Sequence, residues 1–213
     1  LSLTTTPGQV TASQSPPTSW TPDVEIAKRM TGGNCTPYGL TTFGDTRLPR
    51  SYKGEHDKIL DIAGSKIGIC GSSAHHLVLL SAFSKLEDVK LGSRMEVYET
   101  FRRLHPVLKE HAFLNPKEDE DDPYESSQIT ALIANTSGIY GVYSYREVFE
   151  FDRVWAAGSG RSFALGAMHA LYDTPLSVAE IARAGVAAGI EFDTASGPPI
   201  VVHEFILEGN PNE

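Results

Sequence analysis

The chain has little cysteine. Its two residues, Cys35 and Cys70, stand far apart and lack the close pairing that binds metals or builds a disulfide framework. That scarcity predicts a reducing compartment and a cytoplasmic protein. There is no apolar run near the ~20 residues that span a bilayer, and no charged-then-apolar leader. Neither membrane insertion nor secretion is expected. Positive charge is also short: 18 Lys and Arg face 27 Asp and Glu, for a net charge of −9. Nucleic acid and anionic membrane surfaces are poor partners for such a chain.

What is present suits a globular domain. With 213 residues, 40% of them hydrophobic, one domain can bury a substantial core. Residues 1–20 are rich in Thr, Ser, Pro and Gln without apolar periodicity, which predicts a leader or flexible tail. Residues 21–213 read as one domain.

Within it, residues 24–27 predict a short strand, Gly32-Gly33-Asn34 a turn, and Pro37 argues against a central strand at its position. Residues 41–47 predict an exposed strand or loop, and residues 58–62 and 66–71 two strands around a turn at 63–65. Leu77, Leu80 and Phe83 predict a helix over 73–85. Met95, Tyr98, Phe101 and Leu104 predict another over 93–112, kinked or divided at Pro106. The acidic run 118–122 predicts a solvated loop rather than a metal site, because consecutive carboxylates repel and no ligand spacing is visible. A hairpin follows over 128–134 and 139–144, then a short strand over 147–151.

The stretch 154–171 carries the most information. An apolar run breaks at Gly158-Ser159-Gly160 and becomes a small-residue helix pattern, which predicts strand, tight turn and helix. A serine hydroxyl held at a helix N-terminus can orient a neighbouring polar group. Taken alone, the turn also reads as close packing of a helix on a sheet. Ser177 and Glu180 form a capping box that opens a helix through residue 188, and a last strand covers 200–207. Strands alternating with helix pairs predict two sheets sandwiched between helical layers.

In order along the chain, Gly39-Leu40-Thr41-Thr42-Phe43-Gly44-Asp45-Thr46, Lys58-Ile59 with Ile67-Gly68-Ile69-Cys70-Gly71-Ser72-Ser73, Gly158-Ser159-Gly160 and Asp193-Thr194-Ala195-Ser196-Gly197 resemble the motifs of the proteasome β-subunit and HslV family of N-terminal nucleophile hydrolases. The bacterial branch called the betaproteobacterial proteasome homologue is the most similar. The resemblance covers residues 39–207 and implies an α+β, four-layer αββα sandwich that assembles into stacked homo-oligomeric rings. It implies a threonine endopeptidase acting on unfolded polypeptides without a cofactor, with an ATPase unfoldase as a further partner.

Residue by residue, the resemblance gives Lys58 the role of active-site lysine and Gly71 that of oxyanion donor. Ser159, Asp193 and Ser196 become the polar network around the nucleophile's α-amine, and the segment holding Thr41 and Thr42 binds substrate through its backbone. Outside the resemblance, Lys58 reads as a surface strand lysine, Gly71 as a turn glycine, and Asp193 and Ser196 as helix-end caps. His75 and His76 read as polar residues at a helix start. Counting back from Gly39 puts the threonine nucleophile at Thr21. Two positions depart from the family pattern: Pro22 replaces its second threonine, and Tyr38 stands where its active-site acid belongs. These departures keep open a catalytically silent, ring-forming subunit, and a hydrolase of small amides is the third alternative.

Overall fold

The computed structural model describes residues 23–27, 30–31, 34–35, 38–43, 47–48, 52–53, 59–70, 74–115, 124–194 and 196–206. The proposed leader and the acidic run 118–122 lie outside these residues.

The elements follow in chain order. Strand β1 (Asp23–Ala27) precedes the short pair β2 (Met30–Thr31) and β3 (Asn34–Cys35), which flanks the predicted Gly32-Gly33 turn. Next come β4 (Tyr38–Phe43), a second short pair, β5 (Arg47–Leu48) and β6 (Tyr52–Lys53), and the hairpin β7 (Ile59–Ile62) and β8 (Ser65–Cys70). Helices α1 (Ala74–Phe83) and α2 (Arg94–Ala112) follow. Strands β9 (Thr130–Asn135), β10 (Gly138–Val142), β11 (Val148–Glu150) and β12 (Val154–Ala157) lead into α3 (Arg161–Leu171) and α4 (Val178–Phe192). Strand β13 (Val201–Phe205) comes last.

Two sheets carry the fold. One is four-stranded in the order β12-β1-β4-β13, the other five-stranded in the order β11-β10-β9-β8-β7. Side chains alternate across a strand, and β9 shows the consequence. Ala131 and Ile133 pack toward α1 and α2, whereas Leu132 and Ala134 enter the layer between the sheets. An apolar strand with both faces covered is what a two-sheet core needs. Ala156 packs against Ala164, Met168, Ile181 and Ala182 beneath α3 and α4. The result is the four-layer αββα sandwich.

Buried Asn135 has its hydrogen-bonding groups satisfied. Asn135 closes the β9–β10 hairpin: its Oδ1 accepts the N–H groups of Ser137 (2.9 Å) and Gly138 (3.1 Å), and its Nδ2 donates to Ser65 Oγ (3.0 Å) and the Leu91 carbonyl (2.7 Å).

The structure corrects several local expectations. Helix α2 passes through Pro106 unbroken. Pro106 is exposed, so the carbonyl that loses its helical donor lies on the solvent side, where water can serve it. The buried face of α2 is Val97, Phe101, Leu104, His105 and Leu108, while Met95 is 67% exposed. On α1 the inward residues are Leu79, Ala82 and Phe83, and Leu77 is 71% exposed. Residues 41–43 lie in β4, which has β1 on one side and β13 on the other and so is not an edge strand. Helix α4 continues past Gly189 to Phe192, because burial of Gly189 outweighs its weak helix propensity.

Candidate active site

Register brings four strand ends together at one end of the four-stranded sheet. Val24 pairs with Ala157 on one side and Thr42 on the other, and Thr42 also pairs with Val201. The start of β1 therefore lies beside the point where β12 runs into Gly158-Ser159-Gly160. Gly158 has φ 111°, a left-handed conformation that favours glycine, and it sets the turn between β12 and α3. Arg161 Nη1 fastens the turn by donating to the Gly158 carbonyl at 3.0 Å.

Helix α4 delivers the acidic partner. The Ser177–Glu180 capping box forms as predicted and opens the helix. Its far end is capped by Asp193, whose N–H bonds the Gly189 carbonyl at 2.8 Å. The Asp193 carboxylate then accepts two hydroxyls on the same oxygen: Ser159 Oγ donates to Oδ2 at 2.7 Å, and Ser196 Oγ donates to it at 2.5 Å. Asp193 is thus both the helix-end cap and the common acceptor of the two serines. A carboxylate has no proton to give, so both serine protons are committed to it. The lone pairs of the exposed Ser159 hydroxyl are turned toward any incoming N–H donor. An amine is the natural guest for such a group.

The other sequence candidates distribute as follows. Thr41 and Thr42 lie in β4, with Thr42 at the Val24 end. Tyr38 lies at the opposite end of that strand, paired with Phe205. Thr21, Lys58 and Gly71 fall outside the described residues. Lys58 directly precedes Ile59, and Gly71 directly follows Cys70. Ile59, Cys70 and Ala157 share one cluster between the sheets, so the segments bearing Lys58, Gly71 and Ser159 all depart from the same part of the core. His75 and His76 are half-buried rather than open to solvent. Their Nδ1 and Nε2 atoms, respectively, have no hydrogen-bond partner among the described residues, and burial lowers the pKa of His75. Among the described residues no group of three or more His, Cys, Asp or Glu side chains could hold a metal.

Sequence reasoning missed two polar features. Buried His105 bonds Ser127 Oγ through Nδ1 (2.9 Å) and Glu125 through Nε2 (2.8 Å), and Lys109 also binds Glu125, which ties the segment before β9 to α2. Trp155 Nε1 donates to the Tyr143 hydroxyl at 2.6 Å. Alternation from Ile139 through Gly141 to Tyr143 marks the latter as facing the intersheet layer, a signal available in the sequence.

Two sheets between helix pairs, with a hydroxyl–carboxylate–hydroxyl trio beside the start of the first strand, give the chain the αββα fold of the N-terminal nucleophile hydrolases. No family model and no curated protein matches the chain. Solved structures do match. Thiobacillus denitrificans BPH is 33% identical with a TM-score of 0.77, covering 88% of this chain and 100% of that one. The same protein in complex with epoxomicin gives 34% identity, a TM-score of 0.76, and coverage of 87% and 99%. Eukaryotic HslV from Trypanosoma brucei is 20% identical with a TM-score of 0.56, covering 86% and 99%, and supports the fold. The chain belongs to the proteasome β-subunit/HslV-like family that includes the Thiobacillus denitrificans protein.

Proposed function

We propose that the chain is a threonine endopeptidase subunit of a self-compartmentalising ring protease, cleaving unfolded polypeptide with Thr21 as its N-terminal nucleophile. In this mechanism cleavage before Thr21 frees the α-amine. The amine takes the hydroxyl proton as the threonine oxygen attacks the scissile carbonyl, and returns it to the leaving nitrogen when the acyl ester forms. Water then hydrolyses the ester. Gly71 donates its N–H to the developing oxyanion. Lys58 holds a positive charge beside the nucleophile and favours deprotonated neighbours. Ser159, Asp193 and Ser196 orient the amine, and Thr42, with Thr41 behind it, borders the substrate path.

The observation that carries this reading is the Ser159–Asp193–Ser196 trio, lying where β1 begins two residues after Thr21. The Thiobacillus denitrificans relative, 34% identical to this chain, has a structure in complex with epoxomicin, which makes that compound a probe here. A silent ring subunit is favoured by one observation: β4 (Tyr38–Phe43) contains no carboxylate.

Lys58→Ala decides between the two. Peptidase activity should fall at least about a hundredfold with assembly intact. Lys58→Arg should not restore it, because a guanidinium differs in shape and donor geometry. Equal turnover by wild type and Lys58→Ala would remove Lys58 from the site. A wild type that turns over no peptide and binds no epoxomicin establishes the silent subunit.

A further inference from the structure

One hydroxyl between the sheets has a fixed orientation and an unspent proton. Tyr143 directly follows β10. Its oxygen accepts the Trp155 indole N–H at 2.6 Å, and the indole is stacked on Phe151 with centroids 4.4 Å apart and planes inclined by 11°. An indole has one donor, and it is used here. The phenol's own proton finds no acceptor among the described residues.

Register places this group at the candidate active site. Val142 pairs with Ala131, and the neighbouring Thr130 pairs with Cys70. Tyr143 thus stands at the end of the five-stranded sheet where β8 runs out toward Gly71. On the other sheet, Trp155 lies in β12, two residues before Ala157 and the turn that carries Ser159. The hydrogen bond joins the two sheets near the segments that carry the catalytic assignments. Burial raises the phenol's pKa, with further upward contributions from Cys70 and Glu147. The Trp155 hydrogen bond and the charge of Arg161 act in the opposite sense without reversing it. Tyr143 therefore remains a proton donor at neutral pH.

We propose that Tyr143 is a specificity-determining residue, donating its hydroxyl proton to a substrate side chain that ends in a carboxylate. The proposal rests on the peptidase reading of the site. Satisfying the Trp155 N–H needs only a lone pair of the Tyr143 oxygen, so that structural role leaves the proton for a ligand. The exposed Arg161 stands in the first turn of α3 and places positive charge within electrostatic reach of the phenol. This favours a carboxylate over an amide.

The test uses the full chain and end-blocked fluorescent peptides in which Glu, Gln or Leu occupies each position in turn. Binding is followed by anisotropy and turnover by release of the fluorophore. Wild type should prefer Glu to Leu about tenfold at one position. Tyr143→Phe, which also takes the acceptor from the Trp155 N–H and so lowers the melting temperature, should abolish most of that preference while folded variant binds and turns over the Leu peptides as wild type does. The proposal is overturned if wild type has no such preference, if Tyr143→Phe retains it, or if the variant weakens all peptides equally. Anisotropy separates the two levels of inference. A wild type that binds Glu peptides selectively without cleaving them contradicts the peptidase reading and leaves Tyr143 supported, whereas cleavage with no role for Tyr143 does the reverse.

Discussion

Asp193 organises the candidate site because its carboxylate is the common acceptor of two serine protons. Ser159→Ala removes one hydrogen bond at an exposed position, so stability should change by no more than about 1 kcal/mol. Peptide turnover should nonetheless fall about a hundredfold, since the group that orients the amine is gone. Buried Asn135 makes the opposite case. Its four hydrogen bonds knit the β9–β10 hairpin to Ser65 and Leu91. Asn135→Ala should cost about 3 kcal/mol in a urea titration and leave activity per folded molecule unchanged. Tyr140 supplies a pH signature. Burial pushes its phenol up to about 12. A phenol raised in the folded state keeps its full contribution below the unfolded value of about 10 and loses it as pH rises toward 12. Tyr140→Phe should therefore flatten the alkaline fall in stability. In the sequence, the three-residue spacing of Asp193 and Ser196 is legible as a helix-end cap. Their meeting with Ser159, 34 residues before Asp193, is a tertiary contact that no local pattern encodes, and only the order of motifs shared with a family suggested it.

Helix α4 is the element that aims Asp193. Its capping box closes from both sides: Ser177 N donates to Glu180 Oε2 at 2.7 Å, and Glu180 N donates to Ser177 Oγ at 3.2 Å. Ser177→Ala should cost about 1 kcal/mol, read from the shift in denaturation midpoint. The Ser177 N–H holds the Glu180 carboxyl below its ordinary range. That contribution is present above the ordinary carboxylate range and is lost as pH falls through it, so the cap should weaken in acid. The seam between α3 and α4 is tighter still. A Cβ added at Gly185 would stand 2.7 Å from Met168 Cγ. Gly185→Ala should therefore part the two helices at a cost of about 1–3 kcal/mol and lower turnover beyond the loss of folded protein, because Asp193 moves relative to Ser159. Sequence periodicity revealed all four helices and the box, yet it misplaced the inner faces of the first two. α1 is AHHLVLLSAF, apolar on nearly every side, so the sequence contains no phase to read. In α2 the facing sheet selects Val97, Phe101 and Leu104 over Met95 and Tyr98. Pro106 predicts a kink or a division, and the division is absent because solvent can serve the freed carbonyl.

At the scale of the molecule, the outer surface of α1 and α2 carries the apolar side chains that assembly needs. Leu77, Leu80, Met95 and Tyr98 are exposed there. Phe83 and Phe101 are turned inward and pack edge to face with centroids 5.9 Å apart. Clustered exposed apolar side chains mark interaction surfaces, and homo-oligomers close by symmetry. Light scattering should give a homo-oligomer of about six or more subunits, and Leu77→Glu with Met95→Glu should shift it to smaller species. A wild-type monomer at micromolar concentration contradicts assembly. Among the described residues no helix is long and apolar enough to cross a membrane. The layered architecture was legible because alternating strand and helix-pair patterns admit few packings. The way the chain enters β1 was not, since residues 1–22 show no apolar period. That entry decides whether the fold is an enzyme, and intact mass spectrometry after epoxomicin treatment addresses it directly. The expected species is a chain beginning at Thr21 with the inhibitor on its N-terminal peptide. An uncleaved chain in an active preparation, or label on any other peptide, contradicts Thr21 as the nucleophile.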